Sequence, residues 1–319
     1  MYLIFCNVCA IIDATRTKTL EENMQSKNKR LAGYACAILS AVIYGCMPIM
    51  AKHIYADGVN ALTLSLLRNL FALPSLAILA LWQKKTLKCA PRKLLSLSLP
   101  ALFGGVLTPI LLFGSYVLIP SGTATVFHFA YPCIVLLIGL IFLRKRISIG
   151  TVISVAMCFV GILMFYDPSQ ALDPLGAALA LGSALAFAVY VVLLPHFQTE
   201  EFSGFLFCFY FALWSSVILL IICLCTGNLC LPTSLLGWGL CLLFATSVTT
   251  GAVVLFQQGA LLIGGEKASI LSALEPITGV MIGIVFLHDP ARPLVLIGSA
   301  LVIASSILIA AIDLRSKQK

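Results

Sequence analysis

The sequence predicts an all-α integral membrane protein whose ten transmembrane helices form two inverted repeats of five helices. Of the 319 residues, 61% are hydrophobic and only 10% are Asp, Glu, Lys or Arg, and the mean hydropathy is +1.08. A soluble globular domain has about 45–50% apolar and about 25% charged residues. This composition excludes a soluble enzyme and a nucleic-acid-binding domain, despite a net charge of +8.

Ten stretches are long and apolar enough to cross a bilayer, which takes about 20 mostly apolar residues in a helix. Charged and turn-forming residues separate these stretches, and most of the connections between them are short. The predicted spans are residues 31–52, 60–82, 94–118, 122–143, 147–166, 174–195, 202–224, 234–262, 267–287 and 293–312.

The segments outside the spans are short. Residues 1–30 are predicted to be a disordered leader, with Met24 as an alternative start of the protein. The apolar residues 1–12 have no basic segment before them and no small-residue cleavage site after them, which argues against a signal peptide. Residues 313–319 are predicted to form a basic cytoplasmic tail.

The distribution of Lys and Arg predicts that both termini are cytoplasmic, because cytoplasmic loops retain positive charge. With the N-terminus inside, seventeen of the twenty Lys and Arg residues fall on the cytoplasmic side. Only Lys52 and Arg292 fall in the opposite loops, where Asp57, Asp167 and Asp173 also lie. The even number of spans agrees with this orientation.

An internal repeat with an offset of about 144 residues relates the two halves. In the fourth and ninth spans Pro132 aligns with Pro276, and Gly139 aligns with Gly283. Nearer the N-terminus, Gly33 aligns with Gly176 at an offset shorter by one residue. Because each half has five spans, the halves enter the membrane from opposite sides. Such inverted repeats are typical of secondary transporters, whose substrate sites lie near the membrane midplane.

Several stretches of the second half carry a resemblance to a known family. They are Leu274-Glu275-Pro276 with Gly283 and Leu287, Ala260-Leu261 before Ala268, and Gly298 with Ser305. With these stretches the chain resembles the EamA-type members of the drug/metabolite transporter superfamily over about 33–166 and 174–311. The resemblance implies two five-helix repeats, 31–166 and 174–312. It also gives a counterpart to Arg68, since the family often has arginine in the second span.

Glu275 and Arg68 are the main candidates for substrate binding or coupling. Charged groups at membrane depth cost roughly 2.5–3.5 kcal/mol on insertion scales, so those present usually face a polar interior. Glu275 precedes Pro276, which cannot donate a backbone hydrogen bond and frees a carbonyl nearby. The alternative for Glu275 is a structural tie between helices. Arg68 is eight residues from the start of its span, so we weigh an interfacial, snorkelling position or a role in pairing helices against a binding role.

The repeat places three further candidates beside Glu275. His128 is equivalent to Ser272, and Tyr131 is equivalent to Glu275, so these two pairs are expected to face each other. His128 and Glu275 are then a candidate titratable pair, which makes protons a candidate coupling ion. A hydrogen-bonded core histidine is the alternative interpretation of His128.

Other polar and small residues in the spans complete the prediction. Candidates for substrate hydrogen bonds are Gln257, Gln258, Tyr44 and Tyr190, each of which could equally bond a neighbouring helix. The residues expected to allow close helix packing or hinging are Pro132, Pro276, Gly279, Gly283, Gly139 and Gly45.

The family resemblance implies a secondary carrier that exports a small organic metabolite, amino acid or drug across a bacterial cytoplasmic membrane. No phosphate-binding loop is present, since Gly264 to Lys267 lacks the required spacing, so energy must come from a gradient. Small-molecule substrate and lipid are the expected partners, without nucleic acid, cofactor or metal. The alternatives are a membrane-embedded enzyme or a non-transporting sensor. An enzyme needs a cluster of ligands or a nucleophile with its base, and only His128 and Glu275 come near that.

Overall fold

The structure is a computed structural model that describes residues 22–82, 91–119, 121–141, 148–164, 173–197, 204–286 and 293–315. All regular structure within these ranges is helical. Six helices are long and apolar enough to cross a membrane: Lys29–Ala56, Ala61–Trp82, Leu94–Leu118, Pro174–Phe197, Phe205–Thr226 and Leu235–Ile263. Three shorter apolar stretches, Thr123–Gly139, Ile149–Leu163 and Leu296–Ser305, accompany them.

Helices of the first half are mostly broken into shorter pieces. They are α1 (Glu22–Gly45), α2 (Met47–Ala56), α3 (Ala61–Leu70), α4 (Ala72–Trp82), α5 (Pro91–Ser96), α6 (Ser98–Pro100), α7 (Thr108–Leu118), α8 (Ser121–His128), α9 (Tyr131–Ile141) and α10 (Ile149–Leu163). A π-helical segment, Ala101–Leu107, joins α6 to α7.

The second half contains longer helices and a second π-helical segment. Its helices are α11 (Pro174–Phe197), α12 (Phe205–Thr226), α13 (Leu235–Phe244), α14 (Val254–Ile263), α15 (Gly265–Leu271), α16 (Leu274–Phe286) and α17 (Pro293–Arg315). The π-helical segment Ala245–Val253 joins α13 to α14.

The N-terminal boundary differs from the sequence prediction. The first helix begins at Glu22, so residues 22–30 of the predicted disordered leader are helical. They extend the first apolar helix into a polar region, which helix propagation favours once the apolar part is formed. Residues 1–21 lie outside the described part of the chain, as do residues 316–319 of the predicted basic tail.

Helix ends are set by local capping groups. Asn60 begins α3, and its side-chain oxygen accepts a hydrogen bond of 2.7 Å from the Thr63 backbone N–H. Ser234 caps α13 in the same way, by accepting from the Gly237 N–H at 2.9 Å. These side chains satisfy backbone donors that the first turn of a helix leaves without partners.

Helix breaks occur at equivalent places in the two halves. A two-residue turn at Phe129 and Ala130 separates α8 from α9, just before Pro132. A matching turn at residues 272–273 separates α15 from α16, just before Pro276. Proline explains both breaks, since it cannot donate to the carbonyl four residues earlier, that of His128 or Ser272, and its ring crowds that carbonyl. The two π-helical segments, at 101–107 and 245–253, also begin about 144 residues apart.

Two close contacts between helices of different halves also occur at positions that the internal repeat makes equivalent. A Cβ atom at Gly33 would lie 2.7 Å from Ile263 Cγ2, so α1 and α14 approach closely. A Cβ atom at Gly176, the repeat partner of Gly33, would lie 2.7 Å from Ile119 Cγ2, just after α7. Each half therefore contributes its first long helix to a tight contact with the other half. Large apolar side chains such as Leu224 and Leu235 cover the outside, as lipid contact requires.

Candidate functional site

A cavity lies at the contact between the two halves. Its volume is about 50 Å³, enough for a few water molecules. Seven of the nine polar candidates from the sequence line it: Tyr44, Arg68, His128, Tyr131, Tyr190, Ser272 and Glu275. The other lining residues are Met47, Gly104, Thr108, Pro109, Leu112, Phe113, Phe187, Phe211, Val253 and Phe256.

The helix break before Pro276 positions Glu275 at this cavity. Glu275 lies in the first turn of α16, and its backbone N–H donates to the Ser272 carbonyl at 2.9 Å. Only 7% of the residue is exposed. The carboxylate interacts electrostatically with Tyr44 and Tyr131, while the described part of the chain offers it no hydrogen bond. A buried carboxyl group is costly at membrane depth, so its position at a cavity favours a functional group over a structural tie.

Arg68 lines the cavity. It projects from α3 and is 6% exposed, which excludes the snorkelling alternative in this conformation. Its guanidinium carbon is 5.8 Å from the centre of the Phe113 ring, a cation–π arrangement. Its Nε has no hydrogen-bond partner among the described residues.

His128 belongs to a cluster with the second half. Its Nδ1 is 2.8 Å from the Ser183 Oγ, and its ring centre is 5.3 Å from that of Tyr131. Tyr131 in turn donates from its hydroxyl to the Ser269 carbonyl at 3.2 Å. His128 thus shares the cavity with Glu275, but its Nδ1 pairs with Ser183 and not with Glu275. The expected direct pair of His128 and Glu275 is absent from the described residues.

An aromatic wall completes the cavity. Phe187 is at its centre, with ring-centre distances of 4.8 Å to Tyr131, 5.6 Å to Tyr190 and 5.4 Å to Phe256. Tyr190 also lies 5.5 Å from Phe211. Sequence analysis missed the phenylalanines of this wall, because an aromatic residue in an apolar span has no pattern that separates cavity lining from ordinary packing.

Gln257 and Gln258 do not line the cavity. Gln257 lies behind Tyr190 and donates from Nε2 to the Tyr190 hydroxyl at 2.8 Å. Its Oε1 accepts from the Cys208 thiol at 2.7 Å. Gln258 is buried elsewhere, and its Nε2 has no hydrogen-bond partner in the described structure. Of the two alternatives weighed for Gln257, a substrate hydrogen bond or a bond to a neighbouring helix, the contact with Tyr190 in α11 is of the second kind.

The residues predicted to allow close helix packing or hinging lie at helix breaks or at contacts between helices. Pro132 and Pro276 follow the two helix breaks, and Gly45 and Gly279 meet where α1 approaches α16. A Cβ atom at Gly45 would lie 2.7 Å from the Glu275 carbonyl oxygen, so this glycine controls how near α1 comes to the site. Two further glycines were predicted to pack helices: Gly139 is buried in α9, and the surroundings of Gly283 lie outside the described residues.

A second polar contact, the Asp57 clasp, joins the halves at one end. The Asp57 carboxylate accepts from the backbone N–H groups of Thr233 at 3.0 Å and Ser234 at 3.2 Å. The Thr233 hydroxyl donates to the same carboxylate at 3.1 Å. These hydrogen bonds, those from Ser234 foremost, hold the pKa of Asp57 below its usual range. Nearby, the Cys230 N–H donates to the Thr63 hydroxyl at 2.9 Å.

A multi-pass helical membrane protein with a buried, charged cavity between matched halves belongs to the class of membrane transporters. Comparison with known proteins gives the family. Residues 31–166 and 174–311 match the EamA-like transporter family, and the chain belongs to this family.

Two further comparisons agree with this assignment. The chain is 38% identical over 74 residues to an "Uncharacterized transporter" of Archaeoglobus fulgidus, a match to 23% of this chain and 26% of that relative. The chain thus spans about a quarter of the length of the curated relative that it matches. It also resembles a solved structure titled "Crystal structure of protein", with a TM-score of 0.71 and 14% identity over 89% of this chain and 98% of the other. That likeness concerns the fold alone.

Proposed function

We propose that the protein is a ten-helix secondary carrier that exports a small organic molecule across a bacterial cytoplasmic membrane by alternating access. One observation carries the proposal: seven polar residues chosen from sequence converge on a single cavity between the two halves. A cavity with buried ionisable groups at the junction of repeats is where carriers of this kind bind substrate. An enzyme or a sensor does not require such a junction, so these alternatives are less well supported.

The repeated contacts support an inverted arrangement of two five-helix units, 31–166 and 174–312. Gly33 meets Ile263, and its repeat partner Gly176 meets Ile119. In addition α10 packs against α17, its counterpart in the other half: a Cβ atom at Gly161 would lie 2.7 Å from the Gly298 carbonyl. A two-fold axis relating the halves gives this pattern.

In the proposed orientation both termini are cytoplasmic, and the Asp57 clasp supports one part of it, that Asp57 and the segment 227–234 lie on the same side. That orientation assigns Asp57 and the segment 227–234 to the outer face, and the two are joined by hydrogen bonds. Cys230 is exposed in this segment. A membrane-impermeant maleimide added to intact cells should therefore label Cys230 in a variant in which the other cysteines are serine. Labelling only after the membrane is opened would contradict the orientation.

The breaks beside the cavity are suited to act as hinges. Each helix break lies next to residues that line the cavity. These residues are His128 and Tyr131 in the first half and Ser272 and Glu275 in the second. Broken helices expose backbone groups inside a membrane only where they line a cavity. Rocking about these breaks would open the site to one side at a time.

Flux through reconstituted vesicles tests the proposal. Purified full-length protein in vesicles loaded with one candidate substrate should catalyse counterflow of the labelled compound, and empty vesicles should not. A panel of uncharged, anionic, cationic and dipolar small metabolites covers the substrate classes. Absence of flux for the whole panel would contradict the transport function.

Protons are the proposed coupling ion, with Glu275 as the titrating group. Tyr44, Tyr131, Arg68 and His128 face it across the cavity. Glu275→Gln should remove the pH dependence of counterflow or gradient-driven export while leaving the protein folded. An unchanged rate and pH profile in Glu275→Gln would remove Glu275 from coupling.

A further inference from the structure

A serine of the second half holds the histidine that lines the cavity. His128 is the last residue of α8, and Ser183 lies in α11; both side chains are buried. The His128 Nδ1 is 2.8 Å from the Ser183 Oγ. Because His128 lines the cavity and Ser183 does not, Nδ1 points away from the cavity and towards α11.

A second contact of Ser183 decides which group donates in this hydrogen bond. The Ser183 hydroxyl has one proton, and its Oγ is 2.6 Å from the Ala180 carbonyl oxygen, which can only accept. If the hydroxyl donates to Ala180, its oxygen can accept from a proton on His128 Nδ1, and both contacts are hydrogen bonds. If the hydroxyl donates to Nδ1, two oxygens face each other at 2.6 Å without a proton between them. The geometry therefore favours a proton on Nδ1.

The other ring nitrogen of His128, Nε2, is left as an acceptor. A neutral imidazole with its proton on Nδ1 has a lone pair on Nε2. Within the described part of the chain no group donates a hydrogen bond to this nitrogen. The ring centres of Tyr131 and Phe187 are 5.3 Å and 5.6 Å from that of His128, and the Tyr131 hydroxyl donates to the Ser269 carbonyl. The acceptor is therefore available to a group inside the cavity.

We propose that Ser183 is a positioning residue that fixes His128 in the Nδ1–H tautomer, so that Nε2 accepts a hydrogen bond from an N–H or O–H group of the substrate. This inference rests on the proposed transport function and adds one recognition group to the same cavity. In this tautomer Nε2 has no proton to donate. A substrate group that can only accept would meet the lone pair of Nε2 with its own, and it would bind less tightly there.

The internal repeat indicates that the fold itself does not require this serine–histidine pair. Ser40 is the repeat partner of Ser183, and Ser272 is that of His128. Ser40 and Ser272 are also buried, and each donates its hydroxyl proton to a backbone carbonyl, at 2.8 Å and 3.0 Å. A serine at this position of the repeat is thus accommodated without an imidazole. The pair in the other half therefore belongs to the cavity and not to the packing that the halves share.

Nitrogen NMR of the full-length protein, labelled with ¹⁵N-histidine, tests the tautomer without a substrate. The chain has four histidines, and His128→Gln identifies the His128 signals by removing them. The unaltered protein should show a protonated Nδ1 and an unprotonated Nε2. The Nε2–H tautomer would overturn the inference, and so would an imidazolium with both nitrogens protonated. This result does not depend on whether a variant of Ser183 folds.

Two alanine variants assign the effect to Ser183. Ser183→Ala removes the acceptor of the Nδ1 proton, so the His128 signals should move towards the Nε2–H tautomer. Ser40→Ala is the matched control, because it removes an equally buried hydroxyl at the equivalent position of the repeat. It should leave the His128 signals unchanged. An unchanged tautomer in Ser183→Ala, or the same change in both variants, would overturn the positioning role.

Four small probes test Nε2 as an acceptor: glycerol, lactate, ethanolamine and alanine. They are uncharged, anionic, cationic and dipolar, and each carries an N–H or O–H group. A probe that binds, as measured by thermal stabilisation, should move the Nε2 signal of His128. Its affinity should fall about threefold to tenfold in Ser183→Ala, the worth of one hydrogen bond, and less in Ser40→Ala. Binding that leaves the Nε2 signal in place would overturn the acceptor role.

Counterflow of the same probes separates this inference from the transport function. The predicted tautomer and a moved Nε2 signal on binding, without flux of any probe, would support the inference and contradict transport. Flux of a probe at equal rates in the unaltered protein, Ser183→Ala and His128→Leu would support transport and overturn the acceptor role. Absence of binding by all four probes would overturn that role as well.

Discussion

Gly45 sets the distance between α1 and the helix that carries Glu275, so Gly45→Ala should disturb the site. A Cβ atom at this position would lie 2.6 Å from Thr278 Cβ and 2.7 Å from the Glu275 carbonyl oxygen. These atoms belong to the backbone or adjoin it, so a rotamer change cannot relieve the clash. Overpacking of this kind costs about 1–3 kcal/mol, and alanine in place of glycine recovers up to about 1 kcal/mol of helix propensity.

Gly279 provides the matched control, because it faces Gly45 from α16. A Cβ atom at Gly279 would have Gly45 O as its nearest neighbour at 3.6 Å, an ordinary van der Waals distance. Gly279→Ala should therefore keep its helix-propensity gain and be neutral or slightly stabilising. The two substitutions add the same methyl group to the same contact from opposite sides.

Thermal denaturation in detergent, followed by the loss of the folded size-exclusion peak, measures the difference. A net cost of about 1–2 kcal/mol in Gly45→Ala corresponds to a melting temperature lower by about 2–8 °C. Transport by Gly45→Ala should fall as well, since the clash acts on the Glu275 backbone. Equal behaviour of the two variants would refute the close contact of α1 with α16.

Two other substitutions test contacts that hold the halves together. Asp57→Asn weakens the clasp with Thr233 and Ser234. Because the folded-state pKa of Asp57 is below its usual range, its stabilisation is complete above about pH 4 and is lost as the pH falls through the lower folded value. The melting temperatures of Asp57→Asn and the unaltered protein should therefore differ at pH 7, and the difference should shrink as the pH is lowered below about 4. Tyr190→Phe removes the hydroxyl that accepts a hydrogen bond from the buried Gln257 amide and should cost about 1 kcal/mol, a loss that thermal denaturation of the purified variant in detergent would show as a lower melting temperature.

The ends of some helices could be read from sequence because single residues determine them, and Pro132 and Pro276 were predicted as packing or hinge residues without a break in the helix before them. The predicted span 94–118 coincides with the observed helix Leu94–Leu118, where polar and proline residues flank an apolar run. The breaks before Pro132 and Pro276 follow from the chemistry of proline. The π-helical segments were not predicted, since an additional residue in a helical turn leaves no compositional signal in an apolar span.

The candidate site was predicted less evenly than the fold. Charge and the repeat led to Glu275, His128, Tyr131 and Ser272, which do line the cavity. The environment of Arg68 was harder to predict. A residue eight positions from the start of a span can reach the membrane interface or line a cavity inside the protein. Gln257 was difficult for a different reason, because a polar residue in a span can hydrogen-bond another side chain instead of a ligand. Only tertiary contacts distinguish these cases.

The site combines a symmetric backbone with asymmetric charges. The helix breaks, the π-helical segments and the glycine contacts occur in both halves. The repeat partner of Glu275 is Tyr131, however, and the position equivalent to Arg68 at the shorter offset is Phe211, so each charge occurs once. Matched halves allow the inward-open and outward-open arrangements to be of similar energy. Arg68 comes from the first half and Glu275 from the second, so each half contributes one ionisable side chain of its own to the shared cavity.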